Sequence, residues 1–211
     1  MLFAKKNLAL LLIYIVSGIF LVYIIHGLLN NSEFFLLNNR TESFVVLLRS
    51  GFLTQVMLFV TNILSPTVLS IVSVLLAIFL LYKKETYDAF LYTLSMFLGL
   101  ISIFILKNIF KINRPDIAMT NISGWSFPSG HSTIATIFFW VTTYSFIDHI
   151  KTKKWKVILI ILSFLAVLSV CLSRIYLGAH WLIDVLAGVA LGLVCVSFLM
   201  LVFNIVLEEE K

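Results

Sequence analysis

Two histidines and one aspartate have types and spacing that suit nucleophilic chemistry. His180 and Asp184 are four residues apart, so on a helix they share one face, and the carboxylate can accept the imidazole Nδ1–H. Nε2 would then be unprotonated, oriented and more basic, and such an imidazole can attack phosphorus to form a covalent intermediate. His131 is a natural general acid for the leaving oxygen, and later a base for water. These three residues are the predicted catalytic groups.

Three cations lie near these histidines along the chain and supply what a phosphate needs. Guanidinium forks match phosphate oxygens with paired hydrogen bonds, whereas a lysine adds a point charge. The tetrapeptide Pro-Ser-Gly-His at 128–131 leads into an apolar run, where a glycine permits close backbone approach and a helix N-terminus offers free N–H groups to an anion. Each feature alone has a plain structural explanation, as a snorkelling anchor or a helix cap, and their joint occurrence favours a phosphate site. The predicted phosphate-binding residues are Lys107, Arg114, Ser129, Gly130 and Arg174.

The composition indicates that a membrane surrounds the elements carrying these residues. The 211 residues are 61% hydrophobic and 12% charged, whereas an ordinary soluble domain is about 45–50% apolar and about 25% charged. The mean hydropathy of +1.10 excludes both a soluble globular protein and a disordered chain. Long unbroken apolar runs favour helices over the alternating strands of a β-barrel. The net charge of +5 lies in loops, so it indicates topology and an anionic substrate rather than nucleic acid.

Six apolar runs predict an all-α polytopic membrane protein, with residues 1–211 forming one domain. The loop at 30–54 mixes apolar and polar residues and predicts helical pieces at the membrane interface; a connector is favoured over a cap near a lipid-entry site. Cys171 and Cys195 lie inside apolar runs and are predicted to be small buried hydrophobes, not a disulfide or a metal site. The predicted spans are 8–28, 55–82, 89–106, 132–147, 157–173 and 181–207.

The distribution of basic residues predicts the orientation. Of the 15 Lys and Arg residues, nine lie on the side of the two termini and six on the opposite side, three of which are assigned to phosphate binding. The positive-inside rule therefore places both termini in the cytoplasm and the predicted site at the outer membrane face. The predicted location is a bacterial plasma membrane.

Three motifs, in this order and spacing, resemble the signatures of the type 2 phosphatidic acid phosphatase superfamily, also called lipid phosphate phosphatases. The motif region runs from 107 to 184, and the six-span layout extends the similarity over nearly the whole chain. The motifs are Lys107-x6-Arg114-Pro115, Pro128-Ser129-Gly130-His131 and Ser173-Arg174-x5-His180-x3-Asp184.

The resemblance implies residue roles that agree with the chemistry of the side chains. Ser129 and Gly130 would line the site. The family needs no metal or cofactor, which suits outer loops whose carboxylates are few and scattered. The implied roles are phosphate binding by Lys107, Arg114 and Arg174, acid catalysis by His131, nucleophilic attack by His180, and orientation of that imidazole by Asp184.

The leading functional hypothesis is an integral-membrane lipid phosphatase that works through a phosphohistidine. An outward-facing site suggests hydrolysis of undecaprenyl diphosphate to undecaprenyl phosphate, while phosphatidylglycerophosphate and phosphatidate are alternative substrates. A phosphotransferase would carry the same motifs. A transporter is disfavoured because the polar residues gather at one membrane edge rather than at the midplane. The predicted partners are a membrane lipid phosphate and the bilayer, with no nucleic acid and no obligate protein partner.

Overall fold

A computed structural model describes residues 2–30, 32–119 and 123–209 of the chain. Within these ranges the backbone forms eight helices and no strand, so the predicted all-α class is confirmed. The helices are α1 (Leu2–Asn30), α2 (Ser32–Leu47), α3 (Gly51–Ile63), α4 (Pro66–Tyr82), α5 (Thr86–Phe110), α6 (Gly130–Ile147), α7 (Lys153–Tyr176) and α8 (Leu182–Glu209).

Five segments of the described chain are long and apolar enough to cross a bilayer, as expected of an integral membrane protein. The sixth predicted span, α6, is not among them. Its residues 132–138 are all buried, because α6 packs against α4, α5, α7 and α8. Protein rather than lipid covers this helix, so its sequence contains more Ser and Thr than a lipid-facing span. The five segments are Asn7–Asn30, Gly51–Tyr82, Thr86–Phe110, Lys153–Tyr176 and Leu182–Val206.

The second predicted span consists of two helices rather than one. Helix α3 ends at Ile63, and α4 begins at Pro66, a residue that suits the first position of a helix. The Ser65 hydroxyl accepts a hydrogen bond from the Val68 N–H (3.3 Å) and caps α4. The break lets α3 pack against α7 while α4 packs against α5 and α6.

The connector before α3 contains the single helix α2, which packs against α1, α7 and α8. Just after α2, Arg49 Nη2 donates to the carbonyl oxygens of Ile117 (2.9 Å) and Tyr176 (3.3 Å). The Tyr176 hydroxyl also accepts from the Ser50 N–H (3.0 Å). These bonds attach the α2–α3 junction to the end of α7, beside the third motif.

Glycines let α8 approach α6 closely. A Cβ atom on Gly188 would lie 2.7 Å from the Ser129 carbonyl oxygen, and one on Gly192 would lie 2.8 Å from the Thr136 Cβ. Small residues four positions apart are typical of tightly packed transmembrane helices. The close approach places the start of α6 beside the start of α8, where the Ser129 N–H donates to the Asp184 carbonyl oxygen (3.0 Å).

Candidate active site

The three motif stretches converge at one end of the helix bundle. Lys107 lies in the last turn of α5, Arg174 in the last turn of α7, and Asp184 in the first turn of α8. Backbone hydrogen bonds between loops join these stretches, including that from the Met119 N–H to the Leu177 carbonyl oxygen (2.9 Å). The structure therefore brings together residues that are up to 77 positions apart in the sequence.

The His180–Asp184 pair is close, but its geometry differs from that expected for a helical pair. His180 precedes α8, which begins at Leu182, so helical i, i+4 geometry does not apply. The His180 Nδ1–Asp184 Oδ2 distance is 3.5 Å, longer than a normal N–H···O hydrogen bond. Asp184 Oδ2 instead accepts from the Trp181 N–H (3.0 Å), as the third helical residue does in a capping box, and from the Ser126 hydroxyl.

The Arg114 guanidinium is held by backbone carbonyl groups on both sides of the site. Nε donates to Gly124 O (3.0 Å), Nη2 to Trp125 O (3.3 Å) and Nη1 to Ala179 O (2.7 Å). Nη1 also lies 3.2 Å from Nε2 of His180. The guanidinium thus connects the loop before the second motif with the predicted nucleophile.

Lys107 binds the same loop from the end of α5. Its Nζ donates to the carbonyl oxygens of Trp125 and Ser126, the latter over 3.1 Å. Carbonyl oxygens carry no formal charge. The positive charges of Lys107 and Arg114 are therefore still available to an anion in the site.

Arg174 is buried, with only 3% of its surface exposed. Its Nη1 donates to Thr61 Oγ1 (2.6 Å), and its Nε has no hydrogen-bond partner among the described residues. Thr61 is itself 4% exposed and lies near the end of α3. A buried charged donor without a partner is costly, so this guanidinium fits a site that is completed by an anion.

The second motif forms the beginning of α6. The Ser129 hydroxyl caps the helix by accepting from the Ser132 N–H (3.4 Å) and from the Ser132 hydroxyl (3.1 Å). The N–H groups of Gly130 and His131 lie in the first turn, where an α-helix leaves donors unpaired. The partly exposed His131 lies within electrostatic reach of the cations and of His180. The motif therefore supplies a cap, two backbone donors and an imidazole.

The environment of His180 favours its neutral form. Burial lowers the imidazole pKa well below its ordinary value, and the charges of Arg114, Arg174 and Lys107 lower it further, whereas the Ser126 carbonyl raises it. A neutral imidazole is the form that can act as a nucleophile. Burial also lowers the pKa of Arg114, an effect that Asp184 opposes, but a guanidinium retains its charge at neutral pH.

Sequence reasoning missed two polar residues that contact the site. Ser126 touches His180 and Asp184, and Thr61 touches Arg174. Both lie outside the three motifs, and a single Ser in a loop or a single Thr in an apolar helix carries no distinguishing spacing. Only the contacts formed on folding identify them.

Comparisons with known proteins agree with this fold and these motifs. A family model described as PAP2 superfamily matches residues 88–207, a region that contains all three motifs. The chain therefore belongs to the PAP2 superfamily. It is a helical integral-membrane lipid phosphatase, a hydrolase that acts on phosphoesters.

Relatives with recorded activities or solved structures are similar over most of the chain. Phosphatidylglycerophosphatase B of Bacillus subtilis (strain 168) is 34% identical over 151 residues, which are 70% of this chain and 74% of that protein. The crystal structure of a transmembrane PAP2-type phosphatidylglycerolphosphate phosphatase from Bacillus subtilis superposes with a TM-score of 0.82 at 27% identity, covering 94% of this chain and 97% of that one. The structure of Aquifex aeolicus LpxE gives a TM-score of 0.54 at 26% identity, covering 84% and 94% of the two chains.

Proposed function

We propose that this protein hydrolyses a phosphate monoester or diphosphate carried on a membrane lipid, through a phosphohistidine formed at His180. The observation that carries the proposal is the 3.2 Å approach of Arg114 Nη1 to His180 Nε2, within a cluster that also holds Lys107 and Arg174. A phosphate bound by these cations would lie next to the imidazole nitrogen. Preorganised cations at that position stabilise charge that develops on the transferring phosphoryl group.

The chemistry would proceed in two displacements at phosphorus. Nε2 of His180 attacks, a N–P bond forms, and the bond to the leaving oxygen breaks while His131 donates a proton to that oxygen. His131 then removes a proton from water, the resulting oxygen attacks the phosphohistidine, and the N–P bond breaks to release inorganic phosphate. Asp184, through its contacts around His180, would stabilise the positive charge that the ring acquires.

The proposed reaction uses no metal ion. Among the described residues, no three His, Cys, Asp or Glu side chains form a group that could hold one. The Lys107, Arg114 and Arg174 charges supply the electrostatic stabilisation that a metal provides in other phosphatases. Turnover in excess EDTA tests this part of the proposal, and a reversible loss of activity would contradict it.

Two lipid substrates have separate support. Phosphatidylglycerophosphate is supported by the similarity in sequence and in structure to a Bacillus subtilis phosphatase whose name records that activity. Undecaprenyl diphosphate is supported by the predicted outer position of the site, where this carrier lipid is released in a bacterial envelope. Phosphatidate, like phosphatidylglycerophosphate, carries a phosphomonoester on a glycerolipid. It is the third lipid to be compared.

We place both termini in the cytoplasm of a bacterial cell, with α6 as a sixth span. The support is the excess of Lys and Arg on the side of the termini and the position of α6 among the other helices. The active site then lies at the outer membrane face. In this topology the phosphate is cleaved outside the cell.

The deciding experiment measures phosphate release by the purified protein in detergent with EDTA, on the three lipids side by side. His180→Ala should abolish release, whereas His149→Ala, which changes an exposed histidine outside the site, should leave it unchanged. Brief incubation with radiolabelled substrate should yield a phosphoprotein that survives alkali and is lost in acid, as a phosphohistidine is. Residual activity in folded His180→Ala would refute the nucleophile assignment.

The same assay addresses the phosphotransferase alternative. If an added alcohol receives the phosphoryl group at a rate comparable to that of water, the product mixture will contain a new phosphate ester. Release of inorganic phosphate alone supports hydrolysis.

A further inference from the structure

We propose that Ser126 is a positioning residue that sets the tautomer and the orientation of His180. This inference rests on the proposed function, because it assigns a purpose to His180 Nε2 as the nucleophile. Ser126 lies two residues before the second motif, is fully buried, and belongs to none of the three motifs. Its hydroxyl donates to Asp184 Oδ2 and lies 3.3 Å from His180 Nδ1.

The single hydrogen of the Ser126 hydroxyl determines the tautomer of His180. A serine hydroxyl has a single hydrogen to donate, and an ionised carboxylate can only accept. Because the Ser126 hydrogen points to Asp184, the oxygen can interact with His180 Nδ1 only as an acceptor. Nδ1 must therefore carry the hydrogen of the neutral imidazole, which leaves the lone pair on Nε2.

The opposite side of the ring leads independently to the same tautomer. A guanidinium has only donors, so Arg114 Nη1, at 3.2 Å, can pair with Nε2 only if Nε2 accepts. The contact with Ser126 requires Nδ1–H, and the contact with Arg114 requires a lone pair on Nε2. Both describe an imidazole that is ready to attack phosphorus through Nε2.

Hydrogen bonds of the Ser126 backbone hold its hydroxyl in a fixed position. Its N–H donates to Ile112 O (2.8 Å), and its carbonyl oxygen accepts from Lys107 Nζ (3.1 Å). Ser126 therefore contacts the first motif through its backbone, and the third motif through its hydroxyl and its carbonyl group. His180 Nδ1 lies 3.3 Å from the Ser126 hydroxyl and 3.5 Å from Asp184 Oδ2, so the hydroxyl is the nearer of these two groups.

The first test is Ser126→Ala, with kcat and KM measured on the best lipid substrate. At metal sites, loss of the partner that orients a ligating histidine costs about 10–100-fold in affinity or activity, and we take the same range for His180. We expect a loss of that size in kcat with KM changed less than about threefold, because the phosphate-binding cations remain. Ser73→Ala removes another buried hydroxyl, which donates to Leu69 O within its own helix (2.8 Å), and should keep wild-type kcat.

A double-mutant comparison separates positioning from general structural support. If Ser126 acts through the His180–Asp184 pair, Ser126→Ala/Asp184→Asn should have nearly the kcat of Asp184→Asn alone. If Ser126 only supports the fold, the kcat losses of the two single variants should multiply in the double variant. Multiplied losses, or wild-type kcat in Ser126→Ala, would overturn the inference.

Two further variants separate a loss of positioning from a loss of stability, and this inference from the proposed function. If Ser126→Ala also lowers the melting temperature, Ser126→Thr restores the hydroxyl, and recovery of kcat supports the inference while continued loss rejects it. His180→Ala separates this inference from the proposed function. If His180→Ala is active, His180 is not the nucleophile and the proposed function fails. If His180→Ala is inactive but Ser126→Ala is fully active, only the role proposed for Ser126 is refuted.

Discussion

Nη1 of Arg114 lies 3.2 Å from Nε2 of His180, so a cation covers the lone pair that is proposed to attack phosphorus. The same nitrogen donates to the carbonyl oxygen of Ala179 (2.7 Å), the residue before His180. This bond holds the guanidinium beside the proposed nucleophile. A phosphate that enters must take over the Arg114 N–H that is directed at Nε2. In the proposed mechanism, one side chain would therefore both bind the substrate and help to keep His180 neutral.

Replacing Arg114 by Gln should move the acid limb of the pH–kcat/KM profile. The charge of Arg114 disfavours protonation of His180, and burial already lowers that pKa below its ordinary value of about 6.5. In wild type, the limb due to His180 should therefore lie below pH 6.5. Without the cation the pKa of His180 rises, and the limb should move to higher pH. Arg40→Gln, at an exposed position of α2, is the control, and an unshifted limb would contradict this electrostatic coupling.

Thr61→Val should weaken phosphate binding through Arg174. The variant keeps the shape of the side chain but removes the oxygen that accepts from Nη1 over 2.6 Å. A hydrogen bond to a charged group contributes about 1.5–3 kcal/mol, so KM should rise at least about tenfold. Thr93→Val removes a hydroxyl that donates to Ala89 O within its own helix (2.9 Å) and should leave KM unchanged. Equal KM values for the two variants would show that Thr61 does not orient Arg174.

Asp184→Asn should lower kcat by about two to four orders of magnitude while leaving the fold intact. The amide retains the volume of the carboxyl group but loses the charge that stabilises an imidazolium at His180. Trapping of the phosphoenzyme should slow in parallel with turnover. Asp148→Asn, which changes an exposed carboxylate at the other end of α6, serves as the control, and full activity in Asp184→Asn would refute the proposed pairing.

Gly188→Ala should separate α6 from α8. The added Cβ would lie 2.7 Å from the Ser129 carbonyl oxygen, and overpacking of this kind costs about 1–3 kcal/mol. Displacement of α8 would also disturb the bond between the Ser129 N–H and the Asp184 carbonyl, so activity should fall together with the melting temperature. Gly18→Ala, whose added Cβ would have no atom of the described residues within 4 Å, should instead stabilise helix α1 by about 0.5–1 kcal/mol. Similar melting temperatures for the two variants would contradict the close-packing argument.

Cysteine labelling in intact cells should test the orientation. In a background where Cys171 and Cys195 are replaced by Ser, a cysteine at the exposed Asn113 should react with a membrane-impermeant maleimide. A cysteine at the exposed Lys151 should react only after the cells are opened. The reverse pattern would place the active site in the cytoplasm.

The sequence alone was sufficient for the all-α fold class and for the class of enzyme, a PAP2 lipid phosphatase. Long apolar runs in a bilayer must form helices or closed barrels, because lipid offers no hydrogen-bond partner to the backbone. The types and spacing of Lys107, Arg114, Arg174, His180 and Asp184 predicted a phosphate site, and the structure brings these residues to one end of the bundle. The break at Pro66 was missed, because hydropathy continues unchanged across it.

The tertiary structure decided how the site residues contact one another. The hydroxyl of Ser126 reaches His180 across 54 positions of the chain, and Thr61 reaches Arg174 across 113, so no local pattern could have revealed either contact. The helical pairing assumed for His180 and Asp184 failed because α8 begins only after His180. Residue types determine which reactions are possible, whereas the distances and hydrogen-bond directions that select among them are set by long-range packing.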